Sequence, residues 1–326
     1  MLRAIVILLA ALIASPAGAA GFQYGTAPDP DGKPIELGIW YPSDAPVSAQ
    51  PLGLFTQQVA PYAAIAGEKL PLIVISHGTG GGASGHYDTA VALADAGFVV
   101  VALSHTGDNY KDQSLAFTRR NFTDRPRQVS RVIDYMLNDW TGHASIDPAR
   151  IGMFGHSAGG FTTLIVLGAT ADWNLAVLFC HDHPEDWGCQ QAKEWNSTTA
   201  DKTPPKWHHD PRVKAGAIAA PALGYTFTKD GLAAVKQPIQ LWRAETDQIA
   251  PNQWNADLVK ARLPNPPDDH LVPLAGHFAF LAPCSEALAK IAPYICQDDT
   301  GFDRVAFHKQ FNQALADFFK AKLAPP

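Results

Sequence analysis

At 326 residues, 47% hydrophobic and 17% charged, the chain can bury a large core and is too apolar to be disordered. Its formal net charge of −6 comes without a basic block, which argues against nucleic acid or anionic lipid as partners. The length would accommodate two domains, but α/β folds of this size commonly form one.

Met1 to Ala20 reads as a signal peptide, with Arg3 as the positive start, Ala4 to Ala14 as the apolar run and Ala17-Gly18-Ala19 as the cleavage site. The run is shorter than the roughly 20 residues a bilayer span needs. The first cysteine is Cys180, so no lipoprotein cysteine stands at the cleavage point. The expectation is a single mature domain over residues 21–326, periplasmic or secreted, with no membrane anchor.

Ile35, Leu37, Ile39 and Tyr41 alternate with other residues and stop at Pro42, the pattern of a half-buried strand. Beyond them Leu72 to Ile75, Phe98 to Leu103, Ile151 to Phe154, Val213 to Ala219, Ile239 to Trp242 and Leu271 to Leu274 are short apolar runs without alternation. Strands buried on both faces look like this. Between them lie helical patterns: Ala90, Leu93 and Ala94; then Val129, Val132, Ile133, Met136 and Leu137, with Asp124 as cap and Pro126 in the first turn; and finally Leu315, Phe318 and Phe319. Such alternation predicts an α/β fold with a mostly parallel sheet covered on both faces, whose ligands bind at the carboxyl ends of the strands. Residues Ala169 to Arg212 break the rhythm. They are polar yet hold Trp173, Trp187, Trp195 and Trp207, and read either as a lid over the strand ends or as a surface elaboration with its own small core.

Four cysteines behind an export signal suggest disulfides, which can pair in three ways. Cys180 with Cys189 and Cys284 with Cys296 is the most local pairing; buried free thiols are the alternative. No C-x-x-C spacing supports a metal site. His181, Asp182, His183, His208, His209 and Asp210 fit no familiar ligand spacing, and neither a metal nor a cofactor is expected.

The segment Gly155-His156-Ser157-Ala158-Gly159-Gly160 follows an apolar strand and opens the apolar run Phe161 to Leu167. A strand, a tight glycine-flanked turn and a helix are what a nucleophile elbow requires. This segment, together with Ile75-Ser76-His77-Gly78-Thr79-Gly80-Gly81, Gly97-Phe98-Val99-Val100, Asp147-Pro148-Ala149-Arg150-Ile151-Gly152, Asp247 and His277, resembles the α/β-hydrolase superfamily over roughly residues 70–281. More narrowly, the chain resembles dienelactone-hydrolase-like and platelet-activating-factor-acetylhydrolase-like esterases.

The resemblance implies an α/β-hydrolase fold and a serine hydrolase without a cofactor. Ser157 would be the nucleophile, and the amides of Ala158 and Thr79, with Gly78 close behind, would form the oxyanion hole. The acid belongs between nucleophile and base in chain order. Asp247, just after Ile239 to Trp242, fits; Asp182 is the rival. Of His270, His277 and His308, His277 follows a strand run, as the base would. The substrate implied is a small or medium carboxylic ester or a lactone. Amide or peptide hydrolysis is the alternative reaction, and a catalytically inactive binding protein on the same fold the alternative class. Oligomeric state is left open.

Overall fold

The computed structural model describes residues 19–192 and 205–325. Nearly all of the expected signal peptide and Trp195 lie outside the described residues. In chain order come β1 (Ala19–Ala27), β2 (Ile35–Ser43), β3 (Ser48–Leu52), β4 (Phe55–Pro61) and β5 (Leu70–Ser76). There follow α1 (Tyr87–Asp95), β6 (Val99–Ser104), α2 (Arg119–Asn138), β7 (Ile146–His156), α3 (Ala158–Val166), α4 (Trp173–Asp182) and α5 (Trp187–Gln191). The chain continues with β8 (Val213–Ala219), α6 (Lys229–Leu232), β9 (Ile239–Ala244), α7 (Ala256–Arg262) and β10 (Asp268–Val272). It closes with α8 (Glu286–Ile291), α9 (Pro293–Cys296) and α10 (Arg304–Lys322).

The strands form one ten-stranded sheet in the order β10-β9-β8-β7-β5-β6-β2-β1-β4-β3. From β5 to β10 all pairings are parallel; β2 joins β6 antiparallel and β1 joins β2 antiparallel. The unalternating runs are explained by coverage of both faces. Leu72 and Val74 of β5 join Val129, Val132 and Ile133 of α2 and Leu164 of α3 in one core. Ile73 and Ile75, pointing the other way, join Leu93 of α1 and Phe311, Leu315 and Phe319 of α10 in a second. The fold is that of an α/β-hydrolase.

Two expectations need correction. The sequence reading caps the second helix at Asp124, but α2 begins after Thr118, whose Oγ1 accepts from the Asn121 amide at 3.1 Å, so Pro126 lies inside the helix. Its first turns bury Asn121, Arg125 and Gln128, and a polar inward face leaves no apolar period to read. The last strand runs over Asp268–Val272, not 271–274. As an edge strand paired only with β9, it needs little apolar content, and Leu271 and Leu274 are exposed. His270 therefore sits within β10, stacked on Trp242 at 4.1 Å between ring centroids, rather than before the strand.

The region after α3 divides. Trp173 and Trp207 pack against each other, Trp173 also on Phe122 and Trp207 on Phe161, as part of the main core. Trp187, on α5, stays 39% exposed and meets Phe117 edge-on. Disulfides join Cys180 to Cys189 and Cys284 to Cys296. Each closes a short loop, worth about 3 kcal/mol in the chain-entropy account. Titration of the unreduced protein in denaturant is expected to find no free thiol; finding reactive groups before reduction would remove the bridges.

Candidate active site

The sheet order creates the crevice in which the site lies. From β5 the chain moves to β6 on one side and returns on the other side of β5 as β7. The carboxyl ends of β5 and β7 therefore flank a topological switch point, where adjoining loops diverge and leave a crevice. β5 delivers His77-Gly78-Thr79 to it, and β7 delivers Ser157.

Ser157 adopts φ 56° and ψ −120°, a left-handed turn residue between strand and helix. The flanking glycines make this possible: a Cβ on Gly155 would lie 2.1 Å from the Gly159 carbonyl oxygen, and one on Gly159 would lie 1.9 Å from that of Ser76. The Ser157 amide donates to Ala219 O at 2.9 Å, and the Ser157 carbonyl accepts from Gly160 N at 2.9 Å and Ala222 N at 3.1 Å. α3 starts at the next residue, so its amide dipoles converge on the turn.

His277 opens a short 3-10 turn, His277–Phe280, beyond β10. Its Nδ1 lies 2.8 Å from Asp247 Oδ2, with both residues buried. The other carboxylate oxygen of Asp247 accepts from the amides of Ile249 at 2.9 Å and Ala250 at 2.7 Å, which fixes its plane. A carboxylate at Nδ1 holds the proton there and leaves Nε2 free to accept one. Asp182, by contrast, closes α4 with its side chain 68% exposed, paired to its neighbour His181. His308 is engaged with Asp88. Of the polar residues weighed as a metal cluster, Asp210 pairs with Arg212 and Ser130 and His209 with Ala169 O. Among the described residues no group of three or more His, Cys, Asp or Glu side chains is arranged so that it could hold a metal ion.

Ser157, His277, Thr79 and Ala158 line one cavity of about 290 Å³. Gly78 lines it too; a Cβ there would sit 3.1 Å from that of Ser157. The walls are mainly apolar: Phe117, Leu223, Tyr225, Ile249, Phe278 and Tyr294. Trp187 and Asp186 of the segment after α3 also line it, as do Tyr294 and Ile295 near the second disulfide. Burial raises the Asp186 carboxyl above its ordinary value against the hydrogen bonds it accepts.

A buried polar network that the sequence did not announce lies beneath the His77–Gly80 loop. Arg125 and Asp108, both with fully buried side chains, pair at 2.6 Å. Asp108 accepts from Gly80 N at 2.8 Å and from Asn121 Nδ2 at 2.6 Å. Arg125 donates to His77 O and to Thr162 Oγ1. His77 Nε2 accepts from the His105 amide at 3.0 Å, and His105 is bracketed by Ser76 Oγ and Gln128 Oε1. Burial first, and then the Arg125 charge, hold both rings well below the ordinary imidazole value. Only the extra polar residues on the inward face of α2 could have pointed to it.

Comparison with known proteins agrees with this architecture. The prolyl oligopeptidase family matches residues 85–207, a stretch that holds Ser157 but ends before Asp247 and His277. No curated relative matches the sequence. Among solved structures, a ferulic acid esterase from Streptomyces cinnamoneus is similar at 17% identity and a TM-score of 0.63, over 96% of this chain and 94% of that one. At that identity the likeness concerns the fold, and the fold is the α/β-hydrolase fold.

Proposed function

We propose that the protein is an exported serine hydrolase of carboxylic esters, acting on small or medium esters or lactones. The observation that carries the reading is the His277–Asp247 hydrogen bond of 2.8 Å on the wall of the cavity that Ser157 also lines. In this reading His277 Nε2 takes the Ser157 proton as the hydroxyl oxygen attacks the ester carbonyl, giving a tetrahedral oxyanion. The amides of Ala158 and Thr79 meet that oxyanion. Collapse expels the alcohol, which receives the proton from His277, and leaves an acyl-enzyme. A water deprotonated by His277 then attacks the acyl carbon, and the second tetrahedral intermediate releases the acid and restores Ser157. Asp247 keeps the imidazole in one tautomer and stabilises its cation.

The two disulfides support export, since such bonds persist in oxidising compartments. The apolar walls support an ester with a hydrophobic acyl or alcohol part, and the ferulic acid esterase neighbour is consistent with an aromatic one. The resemblance to dienelactone-hydrolase-like enzymes supplies the lactone option. A second reading, amide or peptide hydrolysis on the same triad, is favoured by the prolyl oligopeptidase match over 85–207. Preferential turnover of aminoacyl anilides over nitrophenyl esters would select it.

Ser157→Ala is expected to abolish ester hydrolysis and fluorophosphonate labelling with little change in melting temperature; a variant keeping more than about a tenth of the wild-type rate would remove Ser157 from the chemistry. Asp247→Asn is expected to lower turnover on the order of 10⁴-fold, because asparagine favours the wrong tautomer, while Asp182→Asn leaves it near wild type. The opposite ranking would move the acid to α4. For the aromatic residues after α3, Trp187→Ala is expected to raise KM for bulky esters more than for acetates, and Trp173→Ala to lower stability by about 3 kcal/mol with ester preference unchanged. Equal effects of the two on selectivity would contradict the division between wall and core.

A further inference from the structure

The turn that carries His277 has few regular backbone partners, and its carbonyls are met by histidines. His156 Nε2 lies 3.0 Å from His277 O. His308 Nε2 lies 2.9 Å from Ala279 O, and His86 Nδ1 lies 3.1 Å from Phe280 O. All three rings are buried, and they come from different parts of the fold: the end of β7, the start of α10 and the residue capping α1. A carbonyl only accepts, so each of these nitrogens carries a proton.

The opposite nitrogens differ. His156 Nδ1 and His86 Nε2 are buried without a partner among the described residues, so each ring is held as one neutral tautomer. Burial keeps His156 well below the ordinary imidazole value and lowers His86 to about 4. His308 Nδ1 instead faces Asp88 Oδ2 at 2.6 Å. Burial pushes the Asp88 carboxyl up, but the hydrogen bonds from His308 and Asn312 outweigh it and hold the group below its ordinary value. The His308–Asp88 pair sits at one end of the set and the rings of His86 and His156 at the other, where the His156 and His277 centroids are 4.9 Å apart.

We propose that His156, His86 and His308 are positioning residues that hold the base-bearing turn by its carbonyls, with His156 tying the Ser157 turn directly to the His277 turn. The inference rests on the reading of Ser157 and His277 as nucleophile and base. His156 is the residue before Ser157, so its ring fixes the carbonyl of His277 relative to the nucleophile's own backbone. Such placement acts on turnover, because a misplacement of about 1 Å between reacting groups costs about 10²-fold in rate. His156 also lines the cavity, but its ring is buried and the broad apolar walls come from Phe117, Leu223, Tyr225, Ile249, Phe278 and Tyr294, so substrate binding depends little on it.

The test compares wild type, His156→Phe and His156→Gln for turnover of a nitrophenyl acetate, rate of fluorophosphonate labelling and melting temperature. Phenylalanine keeps a ring and removes the donor; glutamine keeps a donor. His156→Phe is expected to lose about 10²-fold in kcat with KM within roughly twofold, and to slow labelling in parallel. His156→Gln is expected to regain at least about tenfold of that loss. Unchanged kcat in His156→Phe, or equal losses in both variants, would overturn the proposal. Should His156→Phe fail to fold, His86→Leu against His86→Gln makes the same comparison at Phe280 O; equal turnover in that pair would overturn it as well. A wild-type protein that does not label at Ser157 would overturn the hydrolase reading and this inference with it, whereas normal labelling with indifferent variants would overturn the inference alone.

Discussion

The site depends on how closely the first turn of α3 approaches the end of β5. No side chain fits between Gly159 and Ser76 O, where a Cβ would stand at 1.9 Å. This contact presses the Ser157 turn against the loop that follows β5, so that Ser157, Gly78, Thr79 and Ala158 share one cavity. The approach also forces Ser157 into its positive-φ conformation, which costs an L-residue about 1–2 kcal/mol. The hydrogen bonds to Ala219, Gly160 and Ala222 offset that strain. Gly155 and Gly160 serve the same packing, the latter against Pro221.

If the position of Ser157 comes from sterics, that of the neighbouring loop comes from charge. Arg125 and Asp108 are fully buried, and a buried ion pair is seldom a net stabiliser because desolvation consumes its attraction. Its value here is directional. Asp108 fixes Gly80 N, and Arg125 fixes His77 O, so the backbone on both sides of Gly78 and Thr79 is anchored to α2. Removing either partner would leave an unpaired buried charge, a loss of about 3–5 kcal/mol. The loop's geometry is thereby locked to the integrity of the core.

The sequence disclosed those parts of this arrangement that obey local rules. Five apolar runs located β5 to β9 to within a few residues because both faces of the sheet are covered there, whereas the run assigned to β10 was offset because that edge strand needs little apolar content. The glycine-flanked serine announced the elbow because only glycine tolerates such backbone contacts. Where burial is polar, the reading failed: the first turns of α2 were invisible because Asn121, Arg125 and Gln128 face inward. The hairpin of β3 and β4 went unseen, since β3, the edge strand, holds Pro51 and β4 carries alternating polar residues. The tryptophans after α3 could not be divided between wall and core, as side-chain direction there follows from tertiary packing and not from spacing.

On the proposed reading, the electrostatics of the site follow from which groups burial allows to be charged. The imidazolium that forms on His277 needs a nearby anion and no competing cation. Asp247 supplies the anion at 2.8 Å. The rings of His77, His86, His105 and His156 are held neutral, chiefly by burial. Arg125 is the remaining buried cation near the loop, and Asp108 is paired to it at 2.6 Å. Because an unpaired charge in a low-dielectric interior acts over many ångströms, pairing Arg125 locally confines its field. The response to charge on His277 is then left to Asp247, which its own two amide donors already hold in place. A base prepared this way needs little reorganisation as the proton arrives, and that is where preorganised sites gain their rate over water.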